Sequence, residues 1–187
     1  FEHRRKLARN ISGGMQRRLS LATALVHAPE LIFLDEPTAG IDPILRHKFW
    51  ERFKELQENG RTLFITTQYV NEADNCDLVG VMANGRLLRV DTPRGLREHA
   101  YGGEIVELRA AEAIDYRTEQ SLNGICRESR RIGPNSLRVI VAQASTAIPE
   151  IMAWANENDI QVESLEQYTP PFEDVFVELM RSEVNHV

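Results

Sequence analysis

Cysteine is scarce in this chain of 187 residues. Cys76 and Cys126 lie far apart with no CxxC around either, which excludes a disulfide framework and a thiolate zinc site and fits a reducing compartment. Long apolar runs are missing as well. No stretch approaches the ~20 residues that cross a bilayer, and no signal-peptide pattern is present, so a membrane role has to come through a partner. Positive charge is in deficit: 22 Lys and Arg against 28 Asp and Glu give a net charge of -6. That argues against generic binding to nucleic acid or anionic lipid. There is no internal repeat, no low-complexity tract and no initiating methionine; Phe1 opens a charged stretch, FEHRRKLARN, that reads as the middle of a protein. What is present, 42% hydrophobic and 27% charged residues, is enough for a packed core and excludes disorder as a class. The length suits one ordinary domain plus a small second one.

The first half alternates strand and helix signals. Ser12 before Gly13-Gly14 is an N-cap opening a helix with Met15, Leu19, Ala22 and Val26 on one face, ended at Pro29. Leu31 to Leu34 is wholly apolar, as in a parallel strand buried on both faces. Asp42-Pro43 opens a helix running to Asn59-Gly60. Leu63 to Thr66 is a second buried strand, and a short helix with Glu72 and Ala73 follows. Leu78 to Met82 and Arg86 to Val90 flank Asn84-Gly85, a hairpin signal. Composition shifts after Thr92-Pro93 and at Gly102-Gly103. The expected domains are therefore 1–100, part of an α/β sheet, and 103–187, a small α+β domain. In the second, Glu104 to Arg109, Leu137 to Ala142 and the stretch around Ile160 and Val162 read as strands. Ile148, Ile151, Met152 and Ala155 form a helical pattern, and a last helix carries Phe172, Val175, Phe176, Leu179 and Met180 on one stripe.

Three segments carry candidate chemistry. In ISGGMQRRLSLA, residues 11–22, a helix start with two glycines leaves backbone N–H groups unpaired at the positive end of a dipole, a natural anion site. For SGG alone, a flexible N-cap is the plainer reading. In LIFLDEP, residues 31–37, Asp35 and Glu36 follow a buried strand at the carboxyl edge of the sheet, where ligands bind in open α/β folds. Asp35 suits magnesium held through water, and Glu36 suits a base for a water attacking phosphorus. A capping Asp and a solvated Glu are the plain alternative. In TTQY, residues 66–69, Gln68 offers an amide to a phosphate oxygen, or is an ordinary loop residue.

Taken in this order, SGGMQRR, LIFLDEPTAGID and TTQY resemble the ATP-binding cassette (ABC) ATPases over roughly residues 6 to 92. The resemblance implies a P-loop NTPase-type sheet that binds ATP and Mg2+ and hydrolyses ATP. In its terms Ile11 to Met15 is the signature motif, with Ser12 and Gly14 at the γ-phosphate of ATP held by a partner subunit, and Gly13, Met15 and Asp42 are expected among the nucleotide-binding residues. Asp35 lies near the metal, Glu36 is the catalytic carboxylate, and Ala39 to Asp42 is the D-loop linking the two sites of a head-to-tail dimer.

Two departures stand out. No G-x-x-x-x-G-K-[ST] loop occurs, so the chain resembles the back part of such a subunit and is expected to be inactive alone. Gln68 stands where the family usually has a histidine, keeping a donor but no positive charge. SGGMQRRL, DTPRGL and PFEDVFVELM narrow the likeness to subunits of drug, antibiotic and polysaccharide exporters. These dock on a separate permease at the cytoplasmic face of the membrane, and a homodimer is expected. A non-transport or regulatory ABC protein with an impaired site is the alternative. Arg17 and Arg18 read as helix-surface charges, and His3, Arg4, Arg5 and Lys6 as a solvated face. His27, His47 and His99 lack ligand spacing; Trp50 and Phe53 read as core.

Overall fold

The computed structural model describes residues 5–184, without the side chains of residues 123 and 182–184. His3 and Arg4 fall outside it, while Arg5 and Lys6 are exposed. The chain divides into two compact units, Phe1–Asn75 and Cys76–Val187.

After a 3-10 turn at Ala8–Asn10, the first unit runs α1 (Gly13–Leu25), β1 (Leu31–Asp35), α2 (Pro43–Glu58), β2 (Thr62–Thr66) and a second 3-10 segment, Val70–Asn75. Helix α2 starts where the sequence says it should. The Asp42 carboxylate accepts the Leu45 N–H at 2.9 Å, Pro43 fills the first turn, and Gly60, at φ 78°, lets the chain turn away after the end. Strands β1 and β2 pair in parallel, Leu31 opposite Thr62 through Asp35 opposite Thr66. Side chains alternate between the faces of a strand. Ile32, Leu34, Leu63 and Ile65 thus share the face that meets Phe49 and Phe53 of α2, with Trp50, Leu45 and Leu21 around them. Phe53, 3% exposed, takes Phe49 and Trp50 edge-on with centroids 5.9 and 5.5 Å away. Burial of that ring contributes about 2 kcal/mol.

One expectation fails here. The strands are not buried on both faces: Leu31, Phe33 and Phe64 are 50%, 70% and 59% exposed. The described residues supply one helix against this two-stranded pair, so its second face has no cover within the unit. Met15, Leu19, Ala22 and Val26 do fall on one face of α1, as their spacing requires, but that face is not the one that packs. Leu19 and Val26 are exposed, and the helix leans on α2 through Gly14, whose missing side chain lets Leu45 approach.

The second unit opens with the hairpin β3 (Val79–Ala83) and β4 (Arg86–Asp91), turning at Asn84 (φ 50°) and Gly85 (φ 74°) as a two-residue primed turn does. Helix α3 (Pro93–Tyr101) follows, capped by the Thr92 hydroxyl. Next come β5 (Glu104–Ala110), α4 (Tyr116–Gln120), β6 (Glu128–Gly133), β7 (Ser136–Val141), α5 (Ala144–Glu157) and β8 (Val162–Tyr168), then α6 (Phe172–Val184). From β5 to β8 the order is βαββαβ, and the antiparallel sheet runs β6-β7-β5-β8. This is the ferredoxin-like arrangement. Val106, Leu108, Ala110, Leu137, Val139 and Val141 form its core face and meet Ile151, Trp154 and Ala155 of α5.

The apolar stripe of α6 is buried within its own unit: Phe172, Val175 and Leu179 pack with Leu96 of α3, and the Arg97 guanidinium lies 5.4 Å over the Phe172 ring. That packing places the hairpin and α3 in the C-terminal unit, ahead of the composition shift near residue 100. Burial, followed by the negative charge of Asp174 and Glu178 on α6, pushes the Tyr101 hydroxyl up.

Candidate functional site

The candidate residues gather at the carboxyl ends of β1 and β2. Because Asp35 and Thr66 are register partners in a parallel pair, their side chains lie on one face, and the Thr66 hydroxyl donates to Asp35 Oδ1. The same hydroxyl oxygen accepts the Glu36 N–H at 3.2 Å, and the Thr66 carbonyl accepts it at 3.0 Å. Glu36 adopts φ 46°, a left-handed conformation uncommon for a residue with a side chain. Such a backbone persists where its surroundings over-determine it; here the Thr66 contacts and the Ala39 N–H, donating to the Glu36 carbonyl at 3.2 Å, hold it. Glu36 Oε2 is buried and has no hydrogen-bond partner. An acceptor left in that state is a group poised to receive a proton or a donor.

One turn further on, Thr38 is fully buried and donates to Glu72 Oε2 at 3.1 Å. Thr67 donates to the same oxygen at 2.7 Å, and the Tyr69 N–H returns to the Thr67 hydroxyl at 3.1 Å. Arg46 of α2 lies 3.7 Å from Glu72 and 4.0 Å over the Tyr69 ring. Exposed Gln68 sits between these two fixed neighbours.

The helix start stands apart from this edge. Ser12 caps α1, its hydroxyl accepting the Met15 N–H at 3.4 Å and its carbonyl the Gln16 N–H at 2.9 Å. The Gly13 and Gly14 amides are left without acceptors inside the helix. Among the described residues no hydrogen bond or ion pair joins Ser12–Met15 to Asp35, Glu36 or Gln68. The link between the two regions is α2: Gly14 rests on Leu45, and Asp42 caps the turn that holds Leu45. Asp42 thus acts in this structure as a helix cap. Arg18 bonds the Gly14 carbonyl at 3.4 Å, as a helix-surface charge does.

Sequence reasoning passed over Thr66, Thr38, Thr67, Glu72 and Arg46. Thr66 lay in the quoted TTQY, but its hydroxyl becomes informative only once the register with Asp35 is known. Glu72 was visible as an acid in a short helix, with no signal that it would be 3% exposed.

As a cation site, the carboxyl edge offers little direct ligation. Among the described residues no group of three or more His, Cys, Asp or Glu side chains can hold a metal. One carboxylate, Asp35, already engaged at one oxygen, fits a magnesium ion that keeps most of its water. The unpartnered Glu36 oxygen and the bare glycine amides fit a phosphate-bearing ligand and its attacking water.

The chain is similar to several known proteins. Residues 7–72 match a family described as an AAA domain, putative AbiEii toxin of a Type IV TA system. The daunorubicin resistance ATP-binding protein DrrA2 of Streptomyces coeruleorubidus is 35% identical over 90% of this chain and 53% of its own length. The Nod factor export ATP-binding protein I of Burkholderia lata is 42% identical over 59% of this chain and 37% of its own. Its namesake in Rhizobium etli is 33% identical over 93% of this chain and 52% of its own. The chain is similar to the ATP-binding proteins of export and resistance systems. It spans about half the length, or less, of these relatives. A solved structure described as the ATP-binding subunit of an ABC transporter is 28% identical, with a TM-score of 0.46 over 50% of this chain and 39% of its own. Of the ABC landmarks expected from sequence, the pair Asp35-Glu36 and the segment around Gln68 share one edge, and the signature segment reaches them through α2.

Proposed function

We propose that this chain serves in the ATP-hydrolysing subunit of an ABC exporter, which works with a membrane permease and a second nucleotide-binding subunit, a copy of itself, at the cytoplasmic face of the membrane. The observation that carries the reading is Glu36: a carboxylate oxygen buried without a partner, on a backbone held left-handed by Thr66. In a phosphate-cleaving site that oxygen takes the proton of an attacking water. Asp35, oriented by the Thr66 hydroxyl, fixes the water shell of the cation. Gln68 offers its amide N–H to a phosphate oxygen. The amides of Gly13 and Gly14, with the α1 dipole behind them, receive phosphate charge across the dimer. Mg-ATP, when bound, supplies the cleavable phosphoanhydride and charge neutralisation. The expected division of labour puts nucleotide chemistry in residues 1–100 and an accessory role in 103–187. No helix among the described residues is long and apolar enough to cross a membrane.

The test is Mg-ATP turnover by the longer natural protein that contains this chain, beside Glu36→Gln. Loss of turnover by about 10²-fold or more in the variant, with nucleotide still bound, supports the reading. Binding without turnover in both proteins refutes Glu36 as a working base and favours a regulatory site.

A further inference from the structure

Glu72 is an anomaly on its own terms. It is an acid 3% exposed, next to a site that already holds two carboxylates. Burying a carboxylate is unfavourable unless it is paired and hydrogen-bonded, and an apolar residue of similar size commonly does as well for stability alone. Its partners are informative. Thr38 belongs to the loop that leaves β1, Thr67 to the loop that leaves β2, and one oxygen, Oε2, accepts from both. Its other oxygen faces Arg46 of α2 at 3.7 Å. The guanidinium of Arg46 in turn covers Tyr69 at 4.0 Å, and the Tyr69 N–H donates to the Thr67 hydroxyl. Gln68 is therefore flanked by two residues that answer to Glu72. On the other loop, Glu36 is held at its amide by Thr66 and at its carbonyl by Ala39, immediately beyond the clamped Thr38.

We propose that Glu72 is a positioning residue, clamping the loop after β1 to the loop after β2 and so fixing Gln68 relative to Glu36. The proposal rests on the function given above. It assigns a task to a residue whose carboxylate is engaged by Thr38, Thr67 and Arg46.

Two measurements decide it. The first is amide hydrogen exchange on this chain as it stands, for the parent, Glu72→Ala and Glu72→Gln. Glu72→Ala is expected to speed exchange at Ala39 and Tyr69, leaving Phe49 and Phe53 of α2 as protected as in the parent. The second is turnover by the longer natural protein. Displacing a reacting group by about 1 Å costs on the order of 10²-fold, so Glu72→Ala should lower kcat by about that factor with KM for Mg-ATP little changed. Glu72→Gln keeps an oxygen for both threonines and should recover most of the loss. A kcat in Glu72→Ala equal to the parent's overturns the proposal while leaving the function intact. So does faster exchange spread evenly through the first unit, the mark of a residue that only stabilises. A parent that hydrolyses no ATP refutes the function instead, and the clamp then stands or falls on whether the exchange change is confined to the two loops.

Discussion

If Glu36 is kept for chemistry, replacing it should make the protein more stable. Two unfavourable features meet at this residue, a left-handed backbone at φ 46° and a buried carboxylate oxygen with no partner. The left-handed conformation costs about 1–2 kcal/mol for a residue with a side chain, and an unsatisfied buried polar group about 1–3 kcal/mol, more when charged. Glu36→Gln keeps the shape and the backbone but removes the charge, so the expected gain is about 1 kcal/mol. Glu36→Gly relieves the backbone and empties the orphan position. After subtracting the ~0.5–1 kcal/mol of extra chain entropy that glycine brings to the unfolded state, about 2 kcal/mol should remain. The first unit contains one of the two tryptophans, Trp50, packed on Phe53. Its emission during urea unfolding reports that unit once Trp154 is replaced by Phe in parent and variants alike. For a unit of this size each kcal/mol moves the thermal midpoint by about 4–8 °C. Both variants should unfold later than the parent, glycine later than glutamine, while hydrolysis disappears in each. Earlier unfolding of either would refute the claim that the position stores strain for function.

Three other outcomes follow from single contacts. Thr66→Val removes the hydroxyl shared by Asp35 and the Glu36 amide; it should cost about 1–2 kcal/mol by Trp50 emission and reduce turnover with Glu36 still present. Ile151→Ala empties a fully buried position on α5 facing β5 and β7, and the unit followed by Trp154 emission should lose about 2–5 kcal/mol with the first unit unchanged. Asp115 caps α4, and hydrogen bonds from the Thr118 hydroxyl and amide hold its carboxyl below the usual carboxylate range. A depressed acid stabilises above its unfolded pKa and loses that contribution as pH falls through its lower folded value. Asp115→Ala should therefore lower the urea midpoint at pH 7, by an amount that shrinks below about pH 4.

The legible parts of the fold were those with local chemistry. Ser12, Asp42-Pro43 and Asn84-Gly85 announce caps and a turn through their own backbone requirements, and the structure uses each that way. Strand β6 and helix α4 went unread between β5 and β7. Strand β6 is a polar edge strand, paired on one side alone, so it carries Glu128 and Ser129 where its inner neighbour β7 carries Ile140 and Val139. What holds it to α4 is the salt bridge of buried Glu119 with Arg131 at 2.6 Å, a contact without sequence periodicity. At the candidate site Asp35, Glu36 and Gln68 were visible as residue types in an order. The threonines and Glu72 that place them were not, because hydroxyls and one buried acid gain meaning from register and burial.

The uncovered face of β1 and β2 carries the last consequence. Phe33 and Phe64 are register partners with ring centroids 5.6 Å apart, both mostly exposed, on the same side as Asp35 and Thr66. Contiguous apolar surface of this kind drives association in water, so this chain should self-associate with rising concentration. Phe33→Thr/Phe64→Thr tests that cause directly. Threonine, being β-branched, favours a strand as phenylalanine does, and the rings contribute little burial to the unit, so the stability cost should stay near the ~1 kcal/mol of the lost aromatic pair. Light scattering across a dilution series should show the double variant remaining monomeric where the parent grows. Equal association would locate the sticky surface elsewhere, with the exposed Met82, Leu87 and Val90 of the β3–β4 hairpin next in line. Loss of folding in the variant would mean that the open face already contributes to the unit. The polar edge at Asp35 and Thr66 would then depend on those rings for its shape as well as for its neighbourhood.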